Sequence, residues 1–135
     1  MAAVEGSPQL SQAALMRYLA EAVWYPSKLL PSQGVVWQAV DDSTALATLS
    51  DDEIQVSLTF HFDESGMVRQ LDGANRWRTE PSGLVERAWE VRVWGYETRG
   101  GMRVPIHGKA AWLLPTGRLP YWRGQLTDVL YKFAA

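Results

Sequence analysis

A strict alternation of apolar and polar side chains over residues 54–62 constrains this sequence more than any other feature. Every second position is apolar, and these positions are Ile54, Val56, Leu58, Phe60 and Phe62. Successive side chains of a β-strand point to opposite faces, so the pattern predicts a strand with one buried and one exposed face. Such strands are typical of an antiparallel sheet that is covered on one side only.

Clusters of turn-forming residues divide the chain after residue 34 into short apolar segments. The clusters are Asp41-Asp42-Ser43, Ser50-Asp51-Asp52, Asp63-Glu64-Ser65-Gly66, Arg99-Gly100-Gly101 and Pro115-Thr116-Gly117. No helical pattern separates these segments, so we predict an antiparallel meander of about seven strands over residues 35–133. Residues 72–84 have no regular period and are predicted to form a loop, with a short strand over residues 75–78 as the alternative.

The longest predicted hairpin pairs residues 87–97 with residues 102–114. If Val93 lies opposite Ile106, the apolar side chains of both strands share one face of the sheet. A slip of one residue would mix apolar and charged side chains on both faces, so we predict this register.

The N-terminal segment has the pattern of one amphipathic helix over residues 7–24. Ser7 is a suitable N-cap, Pro8 suits the first helical position, and Pro26 prevents the helix from continuing. The predicted fold class is therefore α+β, with an N-terminal helix packed on a curved, meandering antiparallel sheet. We expect this half-barrel to form a single domain over residues 1–135.

The predicted helix is too small for the apolar face that the sheet presents. A helix of roughly 16 residues is ~24 Å long, because each residue adds ~1.5 Å. Seven strands at ~4.8 Å spacing measure ~30 Å across, so part of their face stays uncovered by the helix. Sheet curvature, the segment over residues 72–84, a ligand or a second protein surface must cover that part.

Composition excludes several classes of function. With 13 basic and 15 acidic residues the net charge is −2, which argues against a nucleic-acid partner. The chain has no cysteine and only two histidines, so it lacks thiolate chemistry and any histidine spacing typical of a metal site. We therefore predict no catalytic residue, no metal and no cofactor. No apolar segment is long enough to span a membrane and no secretory signal is recognisable, so we expect a cytoplasmic location.

The sequence resembles a family of uncharacterised bacterial proteins. The resemblance begins with Arg17-Tyr18-Leu19-Ala20-Glu21, Trp24, Pro26 and Leu30-Pro31, and continues through residues 37–42, 60–66 and 104–105 to Tyr121-Trp122-Arg123-Gly124. Members of that family are longer, and this chain resembles their C-terminal half. The layout is also similar to the half-barrel of lipoprotein carriers, which implies an acyl chain held between the sheet and a helical lid.

These observations support two hypotheses about function. In the first, a non-catalytic module binds an apolar or lipid-like small molecule between helix and sheet. Six aromatic residues would line the site: Tyr18, Trp24, Phe60, Phe62, Trp89 and Trp112. Arg17 and Glu21, four apart on the helix, would form its polar rim, although an exposed ion pair also explains them. In the second, the open sheet face is an interface with another domain or with a second copy in a homodimer. An enzyme that uses Glu21 with His107 is a third, weaker alternative.

Overall fold

The chain begins with helix α1 (Pro8–Glu21) in the computed structural model, which describes residues 7–126. Ser7 caps the helix, because its side-chain oxygen accepts a hydrogen bond from the Leu10 amide at 3.5 Å. Three 3-10 turns continue the chain over Ala22–Trp24, Pro26–Leu29 and Pro31–Gln33. No helix in the described part is long and apolar enough to cross a membrane.

Seven strands then form one antiparallel sheet in which each strand pairs with the next along the chain. They are β1 (Val36–Asp41), β2 (Thr44–Asp51), β3 (Ile54–Phe62), β4 (Val68–Glu80), β5 (Gly83–Arg99), β6 (Met102–Leu114) and β7 (Gly117–Gln125). The sheet is curved and open, with β1 and β7 at its edges, which confirms the predicted α+β class. The predicted last strand reached residue 133, and residues 127–133 lie outside the described part.

The alternating segment forms β3, as predicted, and its apolar face lies at the centre of the core. Leu58 and Phe60 are completely buried, while Gln55 on the opposite face is exposed. Helix α1 packs on this face, mainly against β3 and β4 and partly against β2. The 3-10 turn Ala22–Trp24 follows the helix and packs against β6.

The prediction of a loop over residues 72–84 is wrong, because this segment forms the end of β4 and the start of β5, and the alternative strand over residues 75–78 lies within β4. A β-bulge between Gly73 and Arg76 shifts the register of β4 against β5. The bulge changes which side chains face the core, so the period-two pattern is interrupted within one continuous strand. Glu80 pairs with Gly83, and a tight turn joins the two strands.

The predicted register of the β5–β6 hairpin is also wrong, by two residues. Val93 lies opposite Gly108 instead of Ile106. Gly100 and Gly101 have φ angles of 58° and 81°, so both adopt the left-handed conformation of a two-residue hairpin turn. The predicted strands ended at residue 97 and began again at residue 102, so the observed two-residue turn is tighter than the predicted connection. Because the shift is an even number of residues, the predicted faces of both strands are preserved.

Candidate functional site

A cavity of about 380 Å³ lies between the last turns of α1 and the inner face of β5–β7. Its walls come from α1, the first 3-10 turn and strands β4–β7. The lining residues are Arg17, Ala20, Glu21, Trp24, Arg76, Trp89, Val91, Ala110, Trp112, Tyr121 and Trp122. Four of the seven tryptophans of the chain therefore contribute to one site.

Five of the eight residues predicted for the site line this cavity. Trp89 and Trp112 lie opposite each other on β5 and β6, and both are buried. Trp24 reaches the same cavity from the 3-10 turn, and Arg17 and Glu21 reach it from the last turns of α1. The structure thus brings the predicted polar pair and three of the predicted aromatic residues together.

The other three predicted residues lie elsewhere. Tyr18 is about half exposed, with the Lys28 ammonium 5.0 Å from the centre of its ring. Phe60 and Phe62 pack with Trp37, whose ring centre lies 4.9 Å from that of Phe60. These two phenylalanines therefore belong to the packed core under β1–β3 and not to the cavity wall.

A pair of indole rings forms one wall of the cavity. Trp24 and Trp122 meet edge to face, with ring centres 6.1 Å apart. Both rings lie directly over Gly108, where a Cβ atom would approach Trp24 to 3.1 Å and Trp122 to 3.2 Å. The Trp24 indole nitrogen donates to the Pro105 carbonyl oxygen at 3.0 Å. Gly108 therefore provides the space in which the two rings cover the sheet.

A second wall is built around Tyr121 on the edge strand β7. The register of β7 against β6 shifts at Tyr121, because Ala110 pairs with Trp122 and Ala111 with Pro120. The Tyr121 ring stacks on Trp112 with 5.9 Å between ring centres. Bulges of this kind redirect a side chain, and here the bulge turns Tyr121 towards the cavity.

Arg76 is the charged residue in the cavity wall on β4. Its guanidinium lies 4.4 Å from the centre of the Trp89 ring and 5.2 Å from that of Trp112. Its Nε donates to the Ala13 carbonyl oxygen at 3.1 Å, which ties β4 to the helix. Burial lowers the pKa of Arg76 from its ordinary value, because the aromatic surroundings solvate a cation less well than water does. Arg76 remains a cation, since arginine keeps its proton even in such surroundings.

Neighbouring arginines on the same face are paired, whereas Arg76 is not. Glu80 accepts hydrogen bonds from Arg78 at 2.8 Å and from Arg87 at 2.9 Å. Hydrogen bonds from Arg87 and Arg78 lower the pKa of Glu80 to about 2. Among the described residues no carboxylate lies within 4 Å of the Arg76 guanidinium.

The ion pair between Arg17 and Glu21 lies at the rim, with 2.7 Å between Nε and Oε2. Both side chains are well exposed, at 67% and 49%. Hydrogen bonding to Glu21, together with its charge, raises the pKa of Arg17. An exposed pair of this kind contributes only about 0.3–0.5 kcal/mol to stability, so its position at the rim matters more than its strength.

Neither histidine lines the cavity. His61 lies 2.7 Å from the Asp72 carboxylate, across β3 and β4. The His107 ring stacks on Trp94 with 5.5 Å between ring centres. The alternative that combined Glu21 with His107 therefore has only Glu21 at the cavity. Within residues 7–126 no group of three metal-ligating side chains is clustered.

Sequence reasoning missed Arg76, Tyr121 and Trp122 as cavity residues. Arginine and tryptophan are neighbours in the sequence at residues 76–78 and 122–123. This pattern was a usable signal for the site, since it indicates cations packed on aromatic rings. The face on which these side chains lie was not predictable from alternation, because each segment lies beside a β-bulge.

Comparison with known proteins places the chain in a family but identifies no function. The model of DUF6920, described as a family of unknown function, matches residues 1–131. No curated protein and no solved structure matches the chain.

Proposed function

The chain belongs to the DUF6920 family of unknown function, and we propose that it is a non-catalytic binding module for an apolar or lipid-like small molecule. The ligand would lie between the end of the helix and the inner face of β5–β7. The observation that carries this proposal is the cavity with its walls of tryptophan and tyrosine rings.

The size and the chemistry of the cavity support an apolar ligand. At about 380 Å³ it lies towards the lower end of the ~300–1,000 Å³ that small-molecule sites occupy. The indole nitrogens of Trp24 and Trp89 already donate to protein oxygens. These two residues therefore offer the ligand ring faces, which favour apolar contact.

The test is a titration with decanol in which the intrinsic fluorescence of the tryptophans reports binding. We expect saturable binding with a shift in emission, because four indole rings line the cavity. Native mass spectrometry of the freshly purified protein is the companion measurement, and it would reveal a bound molecule that denaturation releases.

A variant that fills the cavity makes the titration specific. Ala110 lines the cavity and is 5% exposed, so Ala110→Leu should place extra methyl groups in the binding space and weaken decanol binding. The control is Ala39→Leu, which makes the same change at an exposed position on β1. If both variants bind decanol like the original protein, the ligand does not occupy this cavity and the proposal fails.

An interface is the second candidate, and the exposed apolar side chains on the sheet edges favour it. Val36 and Val40 on β1 are 65% and 61% exposed, and Leu119 on β7 is 40% exposed. Edge strands with unpaired backbone groups readily pair with another chain. A homodimer would bury more than ~1,000 Å² of surface, and light scattering would show twice the mass of one chain. If light scattering shows a monomer at high concentration, the exposed side chains can serve only an interface with another domain.

A further inference from the structure

Arg76 has hydrogen-bonding capacity that the described protein atoms do not use. A guanidinium carries five N–H donors in one plane. Nε donates to the Ala13 carbonyl oxygen, and Nη1 lies 3.4 Å from the Tyr121 hydroxyl, which is a long contact. Nη2 has no hydrogen-bond partner among residues 7–126. The outer edge of the guanidinium is therefore available to a ligand.

No carboxylate among the described residues forms an ion pair with Arg76, although the charge of Glu21 acts on it from the rim. Glu80 is shared by Arg78 and Arg87, and Glu21 is bound to Arg17 at the rim. Ring faces of tryptophan attract a cation, but each such contact is worth only about 0.5–2 kcal/mol. A half-buried cation in this position would interact strongly with an anion, because the surrounding rings and the helix exclude much of the water.

We propose that the ligand of this cavity is a single-chain amphiphile whose anionic headgroup binds Arg76. The inference rests on the proposed function, since it assigns a headgroup to the apolar ligand already proposed. A carboxylate and a phosphate ester share the required chemistry, because the oxygens of either can accept two parallel N–H bonds from one guanidinium.

The position of Arg76 relative to the aromatic walls fits a ligand with two different ends. Arg76 lies in the β4 wall over Trp89, while Trp24 and Trp122 form the apolar wall over β6 and β7. An anionic head at Arg76 would leave the chain to lie along the indole rings. The small volume of the cavity favours one acyl or alkyl chain over the two chains of a phospholipid.

The experiment compares decanoate, decyl phosphate and decanol on the full chain by tryptophan fluorescence. These ligands share a ten-carbon chain and differ in the headgroup. We expect at least one anion to bind about tenfold more tightly than decanol, since a charge-assisted hydrogen bond adds roughly that factor. The order of the two anions identifies the headgroup as carboxylate or phosphate.

Variants at Arg76 test whether this residue causes the preference. Arg76→Gln should abolish the difference between the anions and decanol, and Arg76→Lys should retain only part of it, because lysine lacks the planar pair of donors. The matched control is Arg123→Gln on the outer face. Arg123 also lies over a tryptophan ring, 5.9 Å from the centre of Trp94, and does not line the cavity. This variant should keep the full preference.

The outcomes separate this inference from the proposed function. If decanol and both anions bind the original protein equally well, the headgroup inference is overturned and the apolar site stands. The inference also fails if the Arg123 variant loses the preference as fully as the Arg76 variant. If acetate or inorganic phosphate binds as tightly as the ten-carbon anions, the site is a simple anion site and both proposals fail. Absence of binding by all the ten-carbon ligands overturns both as well. The comparison among ligands on the original protein stays decisive even if Arg76→Gln does not fold.

Discussion

The Tyr121 hydroxyl accepts a hydrogen bond of 2.8 Å from the indole nitrogen of Trp89. This bond joins the edge strand β7 to β5 across the intervening strand β6. It depends on the bulge in β7, which turns Tyr121 onto the inner face of the sheet. Because β7 is an edge strand, its backbone pairs with β6 alone. The contact between Tyr121 and Trp89 therefore adds a second attachment that holds β7 over the cavity.

Replacing Tyr121 with phenylalanine should destabilise the protein modestly. Tyr121→Phe keeps the ring that stacks on Trp112 but removes the acceptor for the Trp89 indole nitrogen. We expect the free energy of unfolding to fall by about 0.5–1.5 kcal/mol, the net value of one hydrogen bond. Urea unfolding measures this change. The tryptophan emission of the protein should also shift, because the Trp89 N–H loses its partner.

The control for this prediction is Tyr18→Phe. Tyr18 has nearly the same exposure as Tyr121, at 47% against 50%, and its hydroxyl makes no hydrogen bond within the described part. If both variants lose equal stability, the bond between Trp89 and Tyr121 does not contribute and the prediction is wrong.

Gly73 lies directly under Met16 of the helix and beside Leu58 of β3, and Gly73→Ala should therefore be costly. A Cβ atom at this position would lie 2.7 Å from Met16 Sδ and 3.2 Å from Leu58 Cδ2. Both neighbours are buried, so the helix or the side chains must move. We expect a loss of about 1–3 kcal/mol in the free energy of unfolding, the usual range for overpacking a core.

A double-mutant cycle with Met16→Ala distinguishes steric crowding from a backbone effect. Met16→Ala alone should destabilise the core, and it also removes the sulfur that the new methyl group would meet. We therefore expect the double variant to be more stable than the sum of the two single changes predicts, by at least about 0.5 kcal/mol. Strict additivity would contradict the steric explanation.

Regular periodicity predicted most of the fold because the residues that carry it are buried on one face only. The alternation over residues 54–62 identified β3, and the spacing around Ser7 and Pro8 identified the start of the helix. The argument that one helix cannot cover seven strands predicted an open region, and the cavity lies beside the part of the sheet on which α1 does not pack. These inferences needed only local pattern and simple geometry.

The candidate site was less predictable because bulges and turns that carry no strong sequence signal determine its geometry. The bulge between Gly73 and Arg76 interrupts the alternation, so a continuous strand was mistaken for a loop. The glycine pair at residues 100–101 shortens a turn and moves the pairing by two residues. Phe60 and Phe62 were assigned to the site from their face alone, whereas Trp37 on β1 covers them. Only this last point depended on a contact between strands that do not pair, since β2 lies between β1 and β3.

The carboxylate of Glu80 should make stability depend on pH below about 4.5. Arg87 and Arg78 lower its pKa from 4.5 in the unfolded chain to about 2 in the folded protein. A lowered pKa in the folded state means that the stabilisation is fully present above pH 4.5 and is lost as the pH falls towards 2. Glu80→Gln should therefore be less stable than the original protein at neutral pH, and the difference should vanish near pH 2.

Urea unfolding of both proteins between pH 2 and pH 7 measures this difference. The other carboxylates titrate in both proteins, so their contributions to the free energy of unfolding largely cancel in the comparison. In an Arg87→Gln background the pH dependence assigned to Glu80 should become smaller, because the hydrogen bond from Arg87 is the largest cause of the lowered pKa of Glu80. A difference between the original protein and Glu80→Gln that is constant over the whole pH range would show that the ion pairs do not control this carboxylate.

The rim pair should affect ligand binding more than stability, and its two members should act in opposite directions. Arg17 and Glu21 line the same cavity as Arg76, yet both are exposed, so removing either should change the free energy of unfolding by no more than about 0.5 kcal/mol. Glu21→Gln removes a negative charge near the anionic headgroup and should raise the affinity for decanoate about two- to threefold. Arg17→Gln should lower the affinity for decanoate by a similar factor.

Both effects should shrink at high salt, because salt screens the rim charges. The affinity for decanol should stay constant in each variant, because an uncharged headgroup does not respond to these charges. Equal changes for decanoate and decanol would instead indicate that the rim residues act through the shape of the opening.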